Sequence, residues 1–261
     1  MGHLEIKADK SIGIINMIHA ISAIYIREML ILKKRITRQI PSWSISPLLY
    51  LIAFGYAAGH AAPVEGHTYM QFLIPGLIAM SSMTQAFAIA SDINIARFYW
   101  HIFEEFQAAP ISDFAYVTGE VLAGMTRAFC SVLVIMVLGG LFRVDVHYNM
   151  VFLVAVLLNS FVFASLAVGL AMVVKSHADQ AMLNSFVITP MAFLGGTFFP
   201  VDRLPVWAGK ILSFLPLTHA SSVIRSACLG KETDPLSWLV LLVIGMAFFA
   251  AAIFCVEKAK D

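Results

Sequence analysis

The sequence predicts an all-α integral membrane protein with six transmembrane helices. Three observations carry that prediction. Hydrophobic residues make up 60% of the chain and charged residues 13%, with a mean hydropathy of +0.84, whereas a soluble globular domain holds about 25% charged residues. The apolar residues fall in long runs, most of them near the roughly 20 residues that a helix needs to cross a bilayer. Between two of these runs lies one amphipathic stretch, Arg97 to Ser112, RFYWHIFEEFQAAPIS. A net charge of +1 provides no broad basic surface, which argues against nucleic acid as a partner. Cys130, Cys228 and Cys255 sit in or beside apolar runs without metal-ligand spacing, and read as small packing residues.

Ser11 to Leu32 is apolar but interrupted by Arg27 and Glu28, so an N-terminal interfacial helix is expected within residues 1–40, with a seventh span as the lesser alternative. The mixed charges of Glu5, Lys7, Asp9 and Lys10 are unlike the basic lead of a cleavable signal. Lys33, Lys34, Arg35 and Arg38 precede span one, Pro41 to Gly59, and place its start on the cytoplasmic side. The six-span domain is expected over 41–261. Gly55 and Gly59 form a GxxxG spacing that lets helices approach closely, although glycine is common in such helices. Span two, Tyr69 to Ser91, returns after a loop without lysine or arginine and carries Thr84 and Gln85. Span three runs from Phe114 to Phe142, with Glu120 and Arg127 on one face. Span four is Met150 to Val174, span five Ala181 to Phe198 with Asn184 and Thr189, and span six Leu236 to Val256. An even number of spans puts both termini in the cytoplasm.

Two connections are more than loops. In the segment 97–112, Phe98, Ile102, Phe103 and Phe106 share one side at helical spacing, opposite Arg97, His101, Glu104, Glu105 and Gln107. This is a helix on the membrane surface. Pro110 ends it, and Ser112 and Asp113 cap the next span. The segment 199–230 holds Val206 to Leu215 behind Pro205 and His219 to Leu229 behind Thr218, with Gly230 as the stop. Pieces of about ten residues, roughly 15 Å of helix, reach half a bilayer. A re-entrant outer hairpin is expected, packed against the spans and placed to gate an exit.

The block VITPMAFLGGTFFPVDRLPVWAGKILSFLPLTHASSVIRSACLG, Val187 to Gly230, resembles the C-terminal signature of ABC-2-type permeases of ATP-binding-cassette transporters. FEEFQAAPIS, followed by Gly119 and Glu120, resembles the same family's cytosolic coupling segment. The likeness is nearest to bacterial drug, lipooligosaccharide and polysaccharide exporters. It implies an inner-membrane permease that forms a homodimer and pairs with two copies of a separate cytosolic ATPase. ATP and Mg would reside on that ATPase, and no cofactor or metal on this chain. The absence of a GxxxxGK[ST] phosphate loop agrees. An amphipathic, lipid-linked or glycan-type substrate, or a drug, would move outward. Arg97, Phe103, Glu104, Glu105, Phe106 and Pro110 would meet the ATPase. Phe198, Phe199, Pro200, Asp202, Pro205, Pro216 and His219 would form the outer gate.

Each position also has a plainer reading. Glu104 and Glu105 fit a solvated helix face. Arg127 fits a side chain snorkelling to the interface, and Glu120 either a partner for a neighbouring base or an N-terminal carboxylate favoured by the helix dipole. Thr84, Gln85, Asn184 and Thr189 fit helix-to-helix hydrogen bonds as well as a translocation path. Trp207 and Trp238 suit an interfacial belt. A secondary carrier is one rival class, disfavoured by uncharged middles of spans four to six and by the lack of an internal repeat. An intramembrane enzyme is the other, disfavoured because His101, His177, Asp92 and Asp179 form no HExxH, GxSxG or paired-cysteine motif.

Overall fold

A computed structural model describes residues 2–57, 66–100, 102–109, 111–200 and 204–259. Its elements are helical: α1 (Gly2–Ala57), α2 (Tyr69–Phe87), α3 (Ile89–Phe98), α4 (Ile102–Ala108), α5 (Asp113–Leu141) and α6 (Met150–Val173). They continue with α7 (His177–Leu183), a π turn over Asn184–Ile188, α8 (Thr189–Leu194), α9 (Val206–Leu212), α10 (Pro216–Cys228) and α11 (Pro235–Lys258). Among the described residues, five helical segments are long and apolar enough to cross a membrane: Ile15–Gly55, Tyr69–Phe98, Asp113–Leu141, Met150–Val173 and Pro235–Lys258.

α2 is the axis of the bundle. Residues Phe72 to Met83 are all buried, so α2 needs no polar face, and α5, α6 and α10 surround it. Its start is fixed by a capping box, with Thr68 and Gln71 each bonding the other's backbone N–H. Membrane helices lack a hydrophobic drive toward one another, so close approach depends on small residues and internal polar bonds. Both are present here. A Cβ on Gly124 of α5 would lie 3.0 Å from Ala164 Cβ and 3.2 Å from the Ala86 carbonyl. Asn159 Nδ2 of α6 donates to the Ala79 carbonyl at 3.1 Å and to Ser82 Oγ at 2.7 Å, and Ser81 Oγ donates to Ser131 Oγ at 3.1 Å.

Three expected boundaries differ. The division at residue 40 is not a helix break, because α1 runs unbroken from Gly2 to Ala57, through Pro41 and Pro47. Its length is about 84 Å. Its buried residues, Ile24, Glu28, Trp43, Pro47 and Leu51, recur at four-residue steps within two groups, so α1 is buried against the bundle in two stretches along its length. Span five is a helical run over 177–194, interrupted at the π turn, where Thr189 N–H bonds the Asn184 carbonyl. Pro190 cannot donate to the Phe186 carbonyl, and the added residue resets the helix before it. α10 begins at Pro216 rather than behind Thr218, since proline's fixed φ suits the first helical position. Gly230 does close α10, with φ +66° and Lys231 N–H bonded to the Ser226 carbonyl.

Candidate functional site

At one end of the bundle, the amphipathic stretch is shorter than the sequence suggests. Arg97 and Phe98 belong to α3, the chain bends at Tyr99 and Trp100, and the surface helix is α4 alone. Arg97 explains the break. Its Nη1 donates to the Ala171 and Met172 carbonyls at the C-terminal end of α6, and its guanidinium lies 5.1 Å from the Phe98 ring and 5.2 Å from the Phe103 ring. The last four carbonyls of a helix have no partner within it. Arg97 therefore satisfies α6 instead of presenting itself on a surface helix.

α4 packs with its aromatic side on α5: Phe103 is buried, and Phe103 and Phe106 approach the Tyr116 ring edge-on at 5.7 and 5.4 Å. Glu105 is exposed, as are Tyr99 and Trp100 beside it. The Glu104 side chain and Pro110 lie outside the described residues, as do Gly59 and Asp202.

Glu120 and Arg127, candidates for a pathway or a packing role, are both engaged in ion pairs. They join a layer of charges between α1, α3 and α5. Arg27 pairs with Glu28 and lies 3.4 Å from buried Glu120, and its guanidinium also covers the Phe106 ring at 4.8 Å. One step along, Asp92 of α3 accepts from Arg127 of α5 and, at 3.2 Å, from Arg35 of α1. Tyr25 and Thr126 hydroxyls meet at 3.0 Å between the two groups. A Cβ on Gly119 would fall 2.7 Å from Ile24 Cγ2, so α1 and α5 are in direct contact here. Arg27, Glu28 and Asp92 are pair members that the sequence presents only as interruptions of apolar runs. The signal available was their position at helical steps beside other charges.

Farther along the bundle, three of the six candidate pathway or packing positions meet. Thr84 and Gln85 of α2 and Thr189 of α8 line one cavity of about 220 Å³, together with Ser42, Trp43, Ser46 and Tyr50 of α1. Asn184 is not in that lining; its carbonyl accepts from Thr189 Oγ1 at 2.9 Å. Beyond the cavity Phe198 closes an aromatic cluster, with ring centroids 5.0 Å from Tyr50, 5.2 Å from Phe54 and 5.2 Å from Phe193, and its carbonyl accepts from Tyr69 Oη at 2.9 Å. Gly55 abuts Met70 of α2, whose Cε would lie 2.2 Å from an added Cβ.

The short helices α9 and α10 lie toward the opposite end from α4. Pro205 precedes α9 and Pro216 opens α10, while Phe199 is half-buried and Pro200 buried. Arg225, whose role no local sequence signal announces, ties α10 to α2 and to the turn after α8. Its Nη2 donates to the Gly196 carbonyl at 2.6 Å, its Nε to the Phe72 carbonyl at 3.3 Å, and its guanidinium lies 3.8 Å from the Phe72 ring. Ser221 Oγ donates to the Gly195 carbonyl. His219 bridges the Ser213 carbonyl, 2.9 Å from Nε2, and Ser237 Oγ of α11, 3.0 Å from Nδ1. Next to it Asp234 caps α11, accepting from the N–H groups of Leu236 and Ser237 and from Ser237 Oγ. The Ser237 hydroxyl and the Leu236 N–H hold the Asp234 carboxyl below its ordinary range.

This is a polytopic helical membrane protein with a short amphipathic helix at one end, a polar and aromatic cavity within the bundle and two short helices, α9 and α10, toward the other end. The profile of the family described as ABC-2 type transporter matches residues 19–229. The chain belongs to that family. It is 34% identical over 225 residues to "Inner membrane transport permease YadH" of Escherichia coli (strain K12), covering 83% of this chain and 86% of that protein. It is 28% identical over 240 residues to "Nodulation protein J" of Rhizobium leguminosarum bv. viciae, covering 91% and 92%. To "Nodulation protein J" of Rhizobium meliloti (strain 1021) it is 29% identical over 243 residues, covering 91% and 90%.

Proposed function

We propose that this chain is the membrane subunit of an ATP-driven exporter, and that two copies work with two copies of a separate cytosolic ATPase. The observation that carries the reading is α4: a seven-residue helix between two spans, seated by Phe103 and Phe106 on α5, with Glu105 outward. A push on that helix passes to α5 through Tyr116 and to α1 through Arg27. The charge layer then keeps α1, α3 and α5 moving together.

The substrate path runs through the cavity of Thr84, Gln85 and Thr189, whose hydroxyls, amide and neighbouring Trp43 and Tyr50 rings suit an amphipathic or glycan-bearing molecule. The hairpin α9–α10, with Phe198 beneath it, closes the outer exit. In this orientation α4 and both termini face the cytoplasm of a bacterial inner membrane, and the 18-residue run over 177–194 serves as the sixth span.

Purification of the tagged chain from native membranes in mild detergent tests the energy source. An ATPase recovered in equal amount, and lost in a Glu104→Ala, Glu105→Ala double variant that remains folded, is the expected result. A well-folded wild-type chain that brings no ATPase under any gentle condition removes ATP as the driving force.

A further inference from the structure

The hydrogens of the His219 contact can be counted. The Ser213 carbonyl, 2.9 Å from Nε2, only accepts, so Nε2 carries a hydrogen. The Asp234 carboxylate, 2.9 Å from Ser237 Oγ, also only accepts. Ser237 Oγ has one hydrogen and two neighbours that want it, Asp234 Oδ2 and His219 Nδ1. If the ring is neutral, one contact is always empty. Either the serine turns to Nδ1 and the carboxylate loses its hydroxyl, or the serine stays on the carboxylate and two lone pairs face each other at 3.0 Å. If both ring nitrogens carry hydrogen, every contact is filled: Nε2–H to Ser213, Nδ1–H to Ser237, and the serine hydroxyl to Asp234.

We propose that His219 is a proton-binding site, and that the proton it takes up latches the α9–α10 hairpin to α11. The chain of donors then runs in one direction and ends on a negative charge. Among the described residues, the charged groups around the ring are Asp234 at the start of α11, and Arg225 and Lys231, which line the same cavity from α10 and the turn after it. Asp234 favours the cation; Arg225 and Lys231 oppose it. The cavity, about 250 Å³ and lined also by Thr218 and Ser222, admits water to the ring. Loss of the added proton empties one of the three contacts, so the latch loosens as the solution on that face becomes alkaline.

The test uses the full chain in lipid nanodiscs and needs neither substrate nor ATPase, so its failure leaves the transport reading intact. With 15N-labelled histidine, the His219 ring signals are assigned by their loss in His219→Gln and followed from pH 5 to pH 8.5. The expected result is a doubly protonated ring at the acid end. Asp234→Asn, which keeps a capping oxygen, and Ser237→Ala should each make the ring give up its second proton at lower pH. A ring neutral at pH 5, or a midpoint unmoved in both variants, overturns the proposal. For the latch, spin labels replace the exposed Phe214 and Leu239 in a cysteine-free background. Their distance distribution should broaden with rising pH in the parent chain and stay constant with pH in His219→Gln. No broadening in the parent overturns the mechanical half.

Discussion

In the charge layer near α4, side chain meets side chain: Arg27 with Glu120, and Arg35 and Arg127 with Asp92. Around α10, most of the contacts run from side chain to backbone. Arg225 holds the carbonyls of Gly196 and Phe72, Ser221 that of Gly195, and His219 that of Ser213. A charge pair between two helices fixes their register, because moving either by one turn separates the charges by about 5 Å. A carbonyl in a turn imposes less, since neighbouring carbonyls offer similar acceptors a few ångströms away. The difference suits a machine that is pushed as a block at one end and opens at the other.

The comparison breaks most sharply at Asp92. Removing this carboxylate leaves Arg35 and Arg127, with side chains 41% and 15% exposed, facing each other without their shared partner. Leaving a buried partner uncompensated costs about 3–5 kcal/mol, and the exposure of Arg35 reduces this to about 2–4 kcal/mol for Asp92→Ala. Thermal unfolding in nanodiscs should show the whole bundle melting earlier. An unchanged melting temperature would mean that the charge layer does not hold these helices together.

Arg225→Lys sharpens the other side. Lysine keeps the charge but not the planar fork that reaches two carbonyls while covering the Phe72 ring. A loss of about 1–3 kcal/mol is expected, confined to the hairpin. Amide exchange should accelerate in α9 and α10 and stay as it was in α5. Equal acceleration in both would refute the separation of the two ends.

What the sequence reveals divides along the same line. Long apolar runs and the stop at Gly230 are local, and the structure contains them. The surface helix was legible in kind but overextended, because periodicity assigns Phe98 to the same face as Phe103 and cannot know that Arg97 is held by carbonyls more than 70 residues away. Glu120 and Arg127 were visible as charges, whereas their partners come from other helices and no spacing announces them. Thr84, Gln85 and Thr189 were visible as polar positions, and only folding gathers them into one cavity. Arg225 carries no local signal, since its acceptors are backbone atoms that every residue has.

A comparable effect is expected where the turn after α8 packs tightly on α2. A Cβ on Gly76 would lie 2.4 Å from the Thr197 carbonyl oxygen, a backbone atom with little room to yield, whereas one on Gly140 meets nothing within 4 Å. Gly76→Ala should cost about 1–3 kcal/mol and Gly140→Ala nothing measurable, read by the same melting experiment. Equal melting temperatures would show that the turn at Thr197 moves aside freely, and that this part of the hairpin is looser than its contacts with α2 suggest.

The smallest effect concerns acid. The Ser237 hydroxyl and backbone N–H groups at the start of α11 hold the Asp234 carboxyl below its ordinary range. A carboxyl depressed in the folded state binds its proton more weakly there than in the unfolded chain. Its contribution is therefore fully present above the unfolded-state value, and is lost as pH falls through the folded-state value. Asp234→Asn keeps an acceptor for the cap but has no proton to gain. Between neutral pH and about pH 3, the parent should lose stability relative to this variant, because only the parent's cap is neutralised. The latch predicts an opposing trend over the upper part of the range, since the Asp234 carboxylate attracts the positive charge that His219 gains as its ring takes up a proton. Melting curves at closely spaced pH values separate the two. A parent that gains on the variant from pH 8 to pH 5 and then falls back below it shows both groups at work. A difference that is flat from pH 8 to pH 3 would show that Asp234 serves as a neutral cap and nothing more.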